Sequence, residues 1–350
     1  MFLHSFTFWN THILFALILL ILSCDIDQRS LDFTQVEIEE LLVDSLSIRA
    51  IQLTDNDLFF ACDKGTYGWV DLENGEITQR EIRHNGALPH FRAVGQTPSD
   101  LFMLSIANPA LLYKMSHGND PVLVYEEHDS MVFYDAMEFW NEKEGIAVGD
   151  IMNGCLSIIV TRDGGSTWNK LSCAELPEAV EGEGAFAASN TNISVAGDHT
   201  WIATTAARIH YSPNKGLDWV VFQTPIVYEK STQGIYSIDF LDENVGIAIG
   251  GDFTSPDENE ANKAITHDGG RTWQLIANKT EPNYKSCVQF IPGTNGKGVI
   301  AVGFTGVSYS SDLGKNWVTL SEESLYTIRF VNDREAYGAG QGRIVKLTFY

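Results

Sequence analysis

The sequence is poor in positive charge: 23 Lys and Arg stand against 46 Asp and Glu, a net charge of −23. So acidic a surface disfavours nucleic acid and anionic membrane surfaces as partners. Cysteine is scarce, with five in 350 residues, and no Cys-x-x-Cys pair or Cys/His set has metal-ligand spacing. No dinucleotide fingerprint, P-loop, His-Glu-x-x-His helix or Gly-x-Ser-x-Gly elbow occurs. Catalytic residues, cofactors and a metal are therefore not assigned. The one apolar run, residues 13–22, is too short to span a bilayer.

Glycine is plentiful, and it recurs in one context. "TRDGGSTW" (161–168), "SPNKGLDW" (212–219), "THDGGRTW" (266–273) and "SSDLGKNW" (310–317) start 51, 54 and 44 residues apart. That is close to the repeat length of a propeller blade. A catalytic loop is needed once, whereas a turn is needed in every repeat. Asp163, Asn214, Asp268 and Asp312 can accept backbone N–H groups as Asx-turns do. The glycine two residues on supplies positive φ. Trp168, Trp219, Trp273 and Trp317 begin the next strand and bury against the hairpin.

These four copies resemble the Asp-box (BNR) repeat of sialidases, sortilin-type receptors and photosystem II stability/assembly-factor-like proteins. In that family the turn joins the third and fourth strands of a blade, away from the ligand face. "GEGAFAASNTNISVAGD" and "GIYSIDFLDENVGIAIGGDF" are similar to a bacterial branch of the assembly-factor-like proteins, whose members are often labelled oxidoreductase. The resemblance covers most of residues 130–320. It implies a fold and says little about a reaction.

The expected fold is all-β: a seven-bladed propeller of four-stranded antiparallel blades. The blades fall at about 47–81, 91–127, 131–173, 184–225, 234–278 and 285–320. The last segment has material for three strands, and residues 34–43 supply the fourth, closing the ring and removing an edge. Blades 1 and 2 lack the repeat motif, so six or eight blades stay open.

"ILSC", Ile21 to Cys24, resembles the lipobox of bacterial lipoproteins. It implies a signal peptide over 1–23, lipidation at Cys24, a tether over 24–33 and one domain over 34–350. The n-region departs from the pattern in having no Lys or Arg. The location implied is the cell envelope, on its periplasmic face or at the cell surface, with the lipid as the only membrane contact. Cys155 and Cys173 lie equally far from the turn at residue 164, so paired strands place them opposite each other as a disulfide candidate.

Seven innermost strands align without gaps: "IRAIQL", "FRAVGQ", "YDAMEF", "AFAASN", "IYSIDF", "KSCVQF" and "LYTIRF". The third column is small throughout: Ala50, Ala93, Ala136, Ala187, Ser237, Cys287 and Thr327. The column before it carries Arg49, Arg92, Asp135, Phe186, Tyr236, Ser286 and Tyr326. With Asp150, Arg208, Asp252 and Arg343 from the loops between second and third strands, these polar groups are expected at the mouth of the central channel, as a ligand-binding set. The competing expectation is that each arginine pairs with a carboxylate and seals the channel. The acidic loop 251–262 lacks the regular ligand alternation of a calcium loop.

The function expected is a non-catalytic binding or assembly module, probed by a protein or glycan partner in the envelope, with the chain monomeric. The alternatives are a sialidase-like glycoside hydrolase and an oxidoreductase without a recognisable cofactor motif. For the hydrolase, "HFRAVG" matches the family's Phe-Arg-Ile-Pro motif only at Phe91 and Arg92.

Overall fold

The computed structural model describes Met1 and residues 31–116 and 119–350. Cys24 and the expected signal segment after Met1 lie outside the described residues. The chain forms a seven-bladed β-propeller, each blade an antiparallel sheet running outward from a common axis. Blade 1 is typical: Ala50–Leu53 is innermost, then Asp57–Ala61, Thr66–Asp71 and Ile77–Glu81. Blades 2, 3, 5 and 6 open on Phe91–Gln96, Tyr134–Phe139, Gln233–Phe240 and Cys287–Phe290. The inner strands begin at one face, called here the mouth, and end at the other, the underside.

Crowding at the axis selects the small column. Ala50, Ala93, Ala136, Ser237, Cys287 and Thr327 are all 0% exposed. Side chains on the blade faces interdigitate with the next blade. Between blades 2 and 3 the buried set includes Phe102, Leu112, Met137, Ile159 and Trp168. Burial of each such side chain is worth about 1.5–3 kcal/mol.

Blade 7 closes the ring with both chain ends. Thr327–Phe330 is innermost. Glu335–Phe349 then runs out and folds back at Gly342, whose φ is 72°; the Phe349 N–H donates to the Arg334 carbonyl at 2.8 Å. Val36–Ser47 pairs antiparallel with the returning leg, from Val36 opposite Phe349 to Ser47 opposite Gln341. The ordered packing starts earlier than the expected boundary at residue 34. Leu31 and Phe33 are buried against blades 6 and 7, with Phe33 tilted over Tyr309 and Phe349. Two apolar side chains placed in the tether by position are thus part of the domain, because the blade 6–7 seam offers them a dry surface.

The four Trp-bearing turns share one hydrogen-bond scheme and all lie on the underside. The hydroxyls of Thr161, Ser212, Thr266 and Ser310 accept the N–H of the glycine four residues on, at 2.8–2.9 Å. Asp163, Asp268 and Asp312 each accept a second N–H four residues on at 2.8–2.9 Å. Asn214 does the same with Asp218. Burial would push the three carboxyls up, but the bonds from the neighbouring N–H and side-chain donors hold all three below the usual range. A Cβ on Gly165 would meet Phe102 of the preceding blade at 2.2 Å, so the glycine serves close approach as well as positive φ. Trp168 is buried, whereas Trp219, Trp273 and Trp317 are half-buried; the expected burial of every indole overstates three of them.

Cys155 and Cys173 are joined by a disulfide at the mouth end of blade 3. Cys62 and Cys287 are buried thiols.

Trp168→Ala should cost about 3–5 kcal/mol as a buried aromatic deletion, and Trp273→Ala clearly less. Asp268→Ala should cost about 1 kcal/mol through lost turn bonds. Denaturant melts of the three variants test this ordering. A Cys155→Ser/Cys173→Ser pair, which opens a loop of sequence separation 18, should lose about 3 kcal/mol by the loop-entropy argument, read in the same melts.

Candidate functional site

The expected inner strand of blade 4 is a correction. "AFAASN", residues 185–190, is not a strand; the inner strand of blade 4 is Ile193–Ala196. The preceding segment, 184–192, instead crosses the axis and plugs the channel. The Ala187 carbonyl accepts Arg92 Nη1 of blade 2 at 2.8 Å, and the Ala188 carbonyl accepts Arg49 Nη1 of blade 1 at 3.4 Å. The Ser189 carbonyl accepts Thr327 Oγ1 of blade 7 at 3.0 Å, and Ser189 Oγ donates to the Ser286 carbonyl of blade 6 at 2.6 Å. Asn190 donates to the Val94 carbonyl of blade 2 and accepts the Met137 N–H of blade 3. Thr191 Oγ1 lies 2.7 Å from Ser237 Oγ of blade 5. One short segment therefore touches all six other blades. Asn192, not Ala187, occupies the place in blade 4 that Ser237 holds in blade 5: its carbonyl accepts the Ala203 N–H, next to the Ile193–Ile202 pair, as Ser237 lies opposite Ile249 next to the Ile238–Ala248 pair. Small side chains are what let a backbone lie on the axis, and they also mimic the small strand column in sequence.

The plug leaves a shaped floor at the mouth. Arg49 and Arg92, on neighbouring blades, both reach inward to it. Arg49 also lies with Cζ 3.8 Å above the Tyr326 ring, and its buried Nε has no partner. Arg92 donates Nε–H to His90 Nε2 at 3.0 Å. Burial, and then the neighbouring Arg49, lower Arg92 to about 10; Asp135 opposes this. Burial and Arg92 likewise lower His90, which suits a ring nitrogen that accepts. Among the described residues neither Arg49 nor Arg92 forms an ion pair within 4 Å, unlike Arg208 and Arg343.

Asp135 is wholly buried below this pair. Neither of its carboxyl oxygens completes a hydrogen bond of normal geometry. Burial, then the nearby Asp150, push it well above the carboxylate range, against Arg92 and the Ala187 amide. Asp150 is also raised by burial, and its Oδ1 accepts the Ala185 N–H at 3.0 Å. Tyr236 stacks on the plug's Phe186, with centroids 3.7 Å apart, and its hydroxyl donates to the Thr232 carbonyl. The row continues to Tyr284 at 4.8 Å and then to the part-exposed Phe304 at 5.0 Å.

The structure thus brings Arg49, Arg92, Asp135, Asp150, Tyr236 and Tyr326 around the plug. It does not bring Arg208, Asp252 or Arg343 into the group. Arg208 Nη1 pairs with Glu183 at 2.7 Å, Asp252 pairs with Lys230 at 3.3 Å, and Arg343 lies between Glu40 and Glu323 on the outer side of blade 7. Each found a carboxylate or ammonium closer than the axis. Asp252 is held down to about 2: burial opposes the shift, and bonds from Thr254, Thr232 and Lys230 dominate.

Other residues matter that the sequence reading did not single out. Glu183, buried at the root of the plug, accepts from Thr204, Arg208, His210 and the Val180 N–H. Burial raises its carboxyl, but the bond and charge of His210 together with the Val180 N–H and Thr204 hold it below its usual range. Lys263, also buried, spends all three donors on Asn262, Thr280 and Pro282 oxygens, pinning the loop under Tyr284. A phenol–carboxylate set does occur, with Tyr125 and Tyr134 both donating to Glu127 at 2.7 Å. It lies between blades 2 and 3, joining Tyr125 and Glu127 on the outer strand of blade 2 to Tyr134 at the start of the inner strand of blade 3 and bridged to Lys170, rather than beside Arg49 and Arg92.

Burial makes Asp135 hold its proton more tightly in the folded than in the unfolded state, so its contribution to stability falls as pH rises above the unfolded value near 4. Asp135→Asn should melt with wild type at pH 4 and increasingly above it by pH 8, read by calorimetry across that range.

No family model matches the sequence, and no curated protein matches it. Solved structures do share the fold. A YCF48 bound to D1 peptide aligns with a TM-score of 0.65 at 12% identity, over 91% of this chain and 96% of that one. YCF48 from Cyanidioschyzon merolae aligns at 0.62 and 14%, over 89% and 98%. The RRP9 WD40 repeats align at 0.62 and 11%, over 90% and 98%. At such identities the likeness is one of fold: this chain is built as a seven-bladed propeller.

Proposed function

We propose that the chain is a binding or assembly module that receives a carboxylate-bearing segment of a protein partner at the plugged mouth. The single observation that carries this is the pair Arg49 and Arg92. On a protein of net charge −23, two adjacent guanidinium groups face the axis with no carboxylate partner among the described residues. Each donates to a plug carbonyl and keeps further N–H groups. A planar fork suits a carboxylate, and the Tyr284–Phe304 row beside it suits apolar side chains. The plug makes the mouth a shallow platform, which fits a peptide segment better than a buried small molecule. One solved propeller of this fold is itself bound to a peptide; that supports the reading by analogy.

The four turns are read here as Asp-boxes, structural elements of the underside. The chain is read as a lipoprotein anchored through Cys24, holding the propeller at the cell envelope as a monomer with the lipid as its only membrane contact. A glycan partner at the mouth is the less favoured reading, since the platform's polar groups are chiefly cationic.

The test uses the full chain in its native membranes. Cross-linking and co-purification should recover a partner protein, and Arg49→Ala/Arg92→Ala should reduce it at least tenfold with little change in melting temperature. Cys24→Ala should move the protein from the membrane to the soluble fraction. The same partner at undiminished yield from the double variant would exclude the mouth as the docking site.

A further inference from the structure

A large cavity lies away from the mouth. It is a cleft of about 960 Å³ on the underside, running beneath blades 1, 2 and 3. This is at the upper end of the range for small-molecule sites, about 300–1,000 Å³. Its walls come from the turns after the first three inner strands, at Thr54–Asp57, Thr97–Asp100 and Asn141–Glu142, together with Trp69 and Arg80 from the outer half of blade 1.

The lining has a distinct chemistry. Neutral hydrogen-bonding side chains are its commonest class, nine of the 20 described lining residues, against four carboxylates and one guanidinium. Several are unspent: among the described residues the side chains of Asn56, Gln96 and Asn119 make no hydrogen bond. Others are pre-set by the turns themselves. Thr54 Oγ1 accepts the Asp57 N–H at 3.0 Å and Thr97 Oγ1 the Asp100 N–H at 3.1 Å, so these hydroxyls hold fixed positions on two adjacent turns. Asp100 is bridged to Lys114 at 3.2 Å and accepts from Ser99 and Ser116. Burial opposes, but those bonds keep its carboxyl below its usual range.

The aromatic element is Trp69, half-exposed in the cleft. Its indole is fixed from within by Phe59 and Tyr67, both 5.7 Å between centroids. The Arg80 guanidinium lies 5.5 Å from its centroid on a side chain that is itself half-exposed, a cover that a ligand can displace. A rigid indole beside fixed hydroxyls, free amides and carboxylate acceptors matches a pyranose chain: the apolar ring face stacks on the aromatic and the equatorial hydroxyls take the polar groups. The excess of carboxylates disfavours uronate, sialyl or phosphorylated chains by like-charge repulsion.

We infer that this underside cleft is a binding site for a neutral oligosaccharide chain, separate from the mouth and independent of what docks there. The role is binding, with no bond broken.

Calorimetry on the full chain tests it, using three neutral tetrasaccharides as probes: α-1,4-linked glucose, β-1,4-linked glucose and β-1,4-linked N-acetylglucosamine. At least one should bind with Kd of about 1 mM or tighter. Trp69→Ala should weaken it at least tenfold. The pair Asn56→Ala/Gln96→Ala, which leaves the aromatic packing intact, should weaken it at least fivefold. An oligogalacturonate of the same length should not bind. Failure of all three neutral probes overturns the inference. So does sugar binding unaffected by either change, or spermidine binding at the cleft in place of sugar, which would assign it to cations. None of these outcomes bears on Arg49 and Arg92, so the two sites are judged separately.

Discussion

Everything in this molecule depends on satisfying the inner edge of seven sheets. Each innermost strand turns one row of backbone N–H and carbonyl groups toward the axis, where no further strand can pair with them, and a buried unpaired group costs as much as a lost hydrogen bond. The chain answers by stitching each blade to the next. Ser237 accepts the Val288 N–H, Asp239 the Phe290 N–H and Ser194 the Phe240 N–H, each across a blade boundary. Where side chains do not suffice, the segment 184–192 supplies its own backbone. The plug is thus a structural necessity before it is a functional surface. The arginine platform is a by-product of how blades 1 and 2 complete that accounting.

The same constraint explains the buried acids. Asp239 is raised to about 7 and Glu138 to about 6, each chiefly by burial and each partly offset by Arg329. Asp239 earns its place by accepting the Phe290 N–H, a role that either protonation state performs. With Asp135, these groups take up protons on folding, opposite in sign to the turn carboxyls Asp163, Asp268 and Asp312. The axis is stabilised by acid and the underside turns by its absence, so stability has competing contributions across the acidic range.

Much of the fold was legible because its signals are local and repeated. An Asp, a Gly and a Trp at fixed offsets specify a turn whatever surrounds it, and the small column at Ala50, Ala93 and Ala136 follows from crowding alone. The ring closure was legible from arithmetic, since three strands at the C-terminus need a fourth. What failed was the step from pattern to path. "AFAASN" satisfies the small-column pattern, yet it lies on the axis because "NISVAG" two residues later satisfies the strand pattern too, with a tight turn at Gly197 to return it. Arg208 and Arg343 failed for another reason: the partners that claim them, Glu183 and the Glu40–Glu323 pair, are distant in sequence and invisible to an alignment of strands. The underside cleft left no mark at all, because its walls are three unremarkable turns brought together only by the ring.

The closing strand sets the order in which the molecule can be finished. Val36–Ser47 is among the first parts of the domain to be synthesised, and its partner, the leg ending at Phe349, is the last. Until that leg emerges, Leu41 and Leu42 have only one wall of their hydrophobic cluster, and blades 1 and 7 present open sides. The six intermediate blades can each form as they emerge, being local in sequence, but the ring is an arc until the end. A chain stopped short by even one strand therefore lacks more than a strand. It exposes two sheet edges at once, on opposite sides of a gap, in a shape suited to pairing with another incomplete copy.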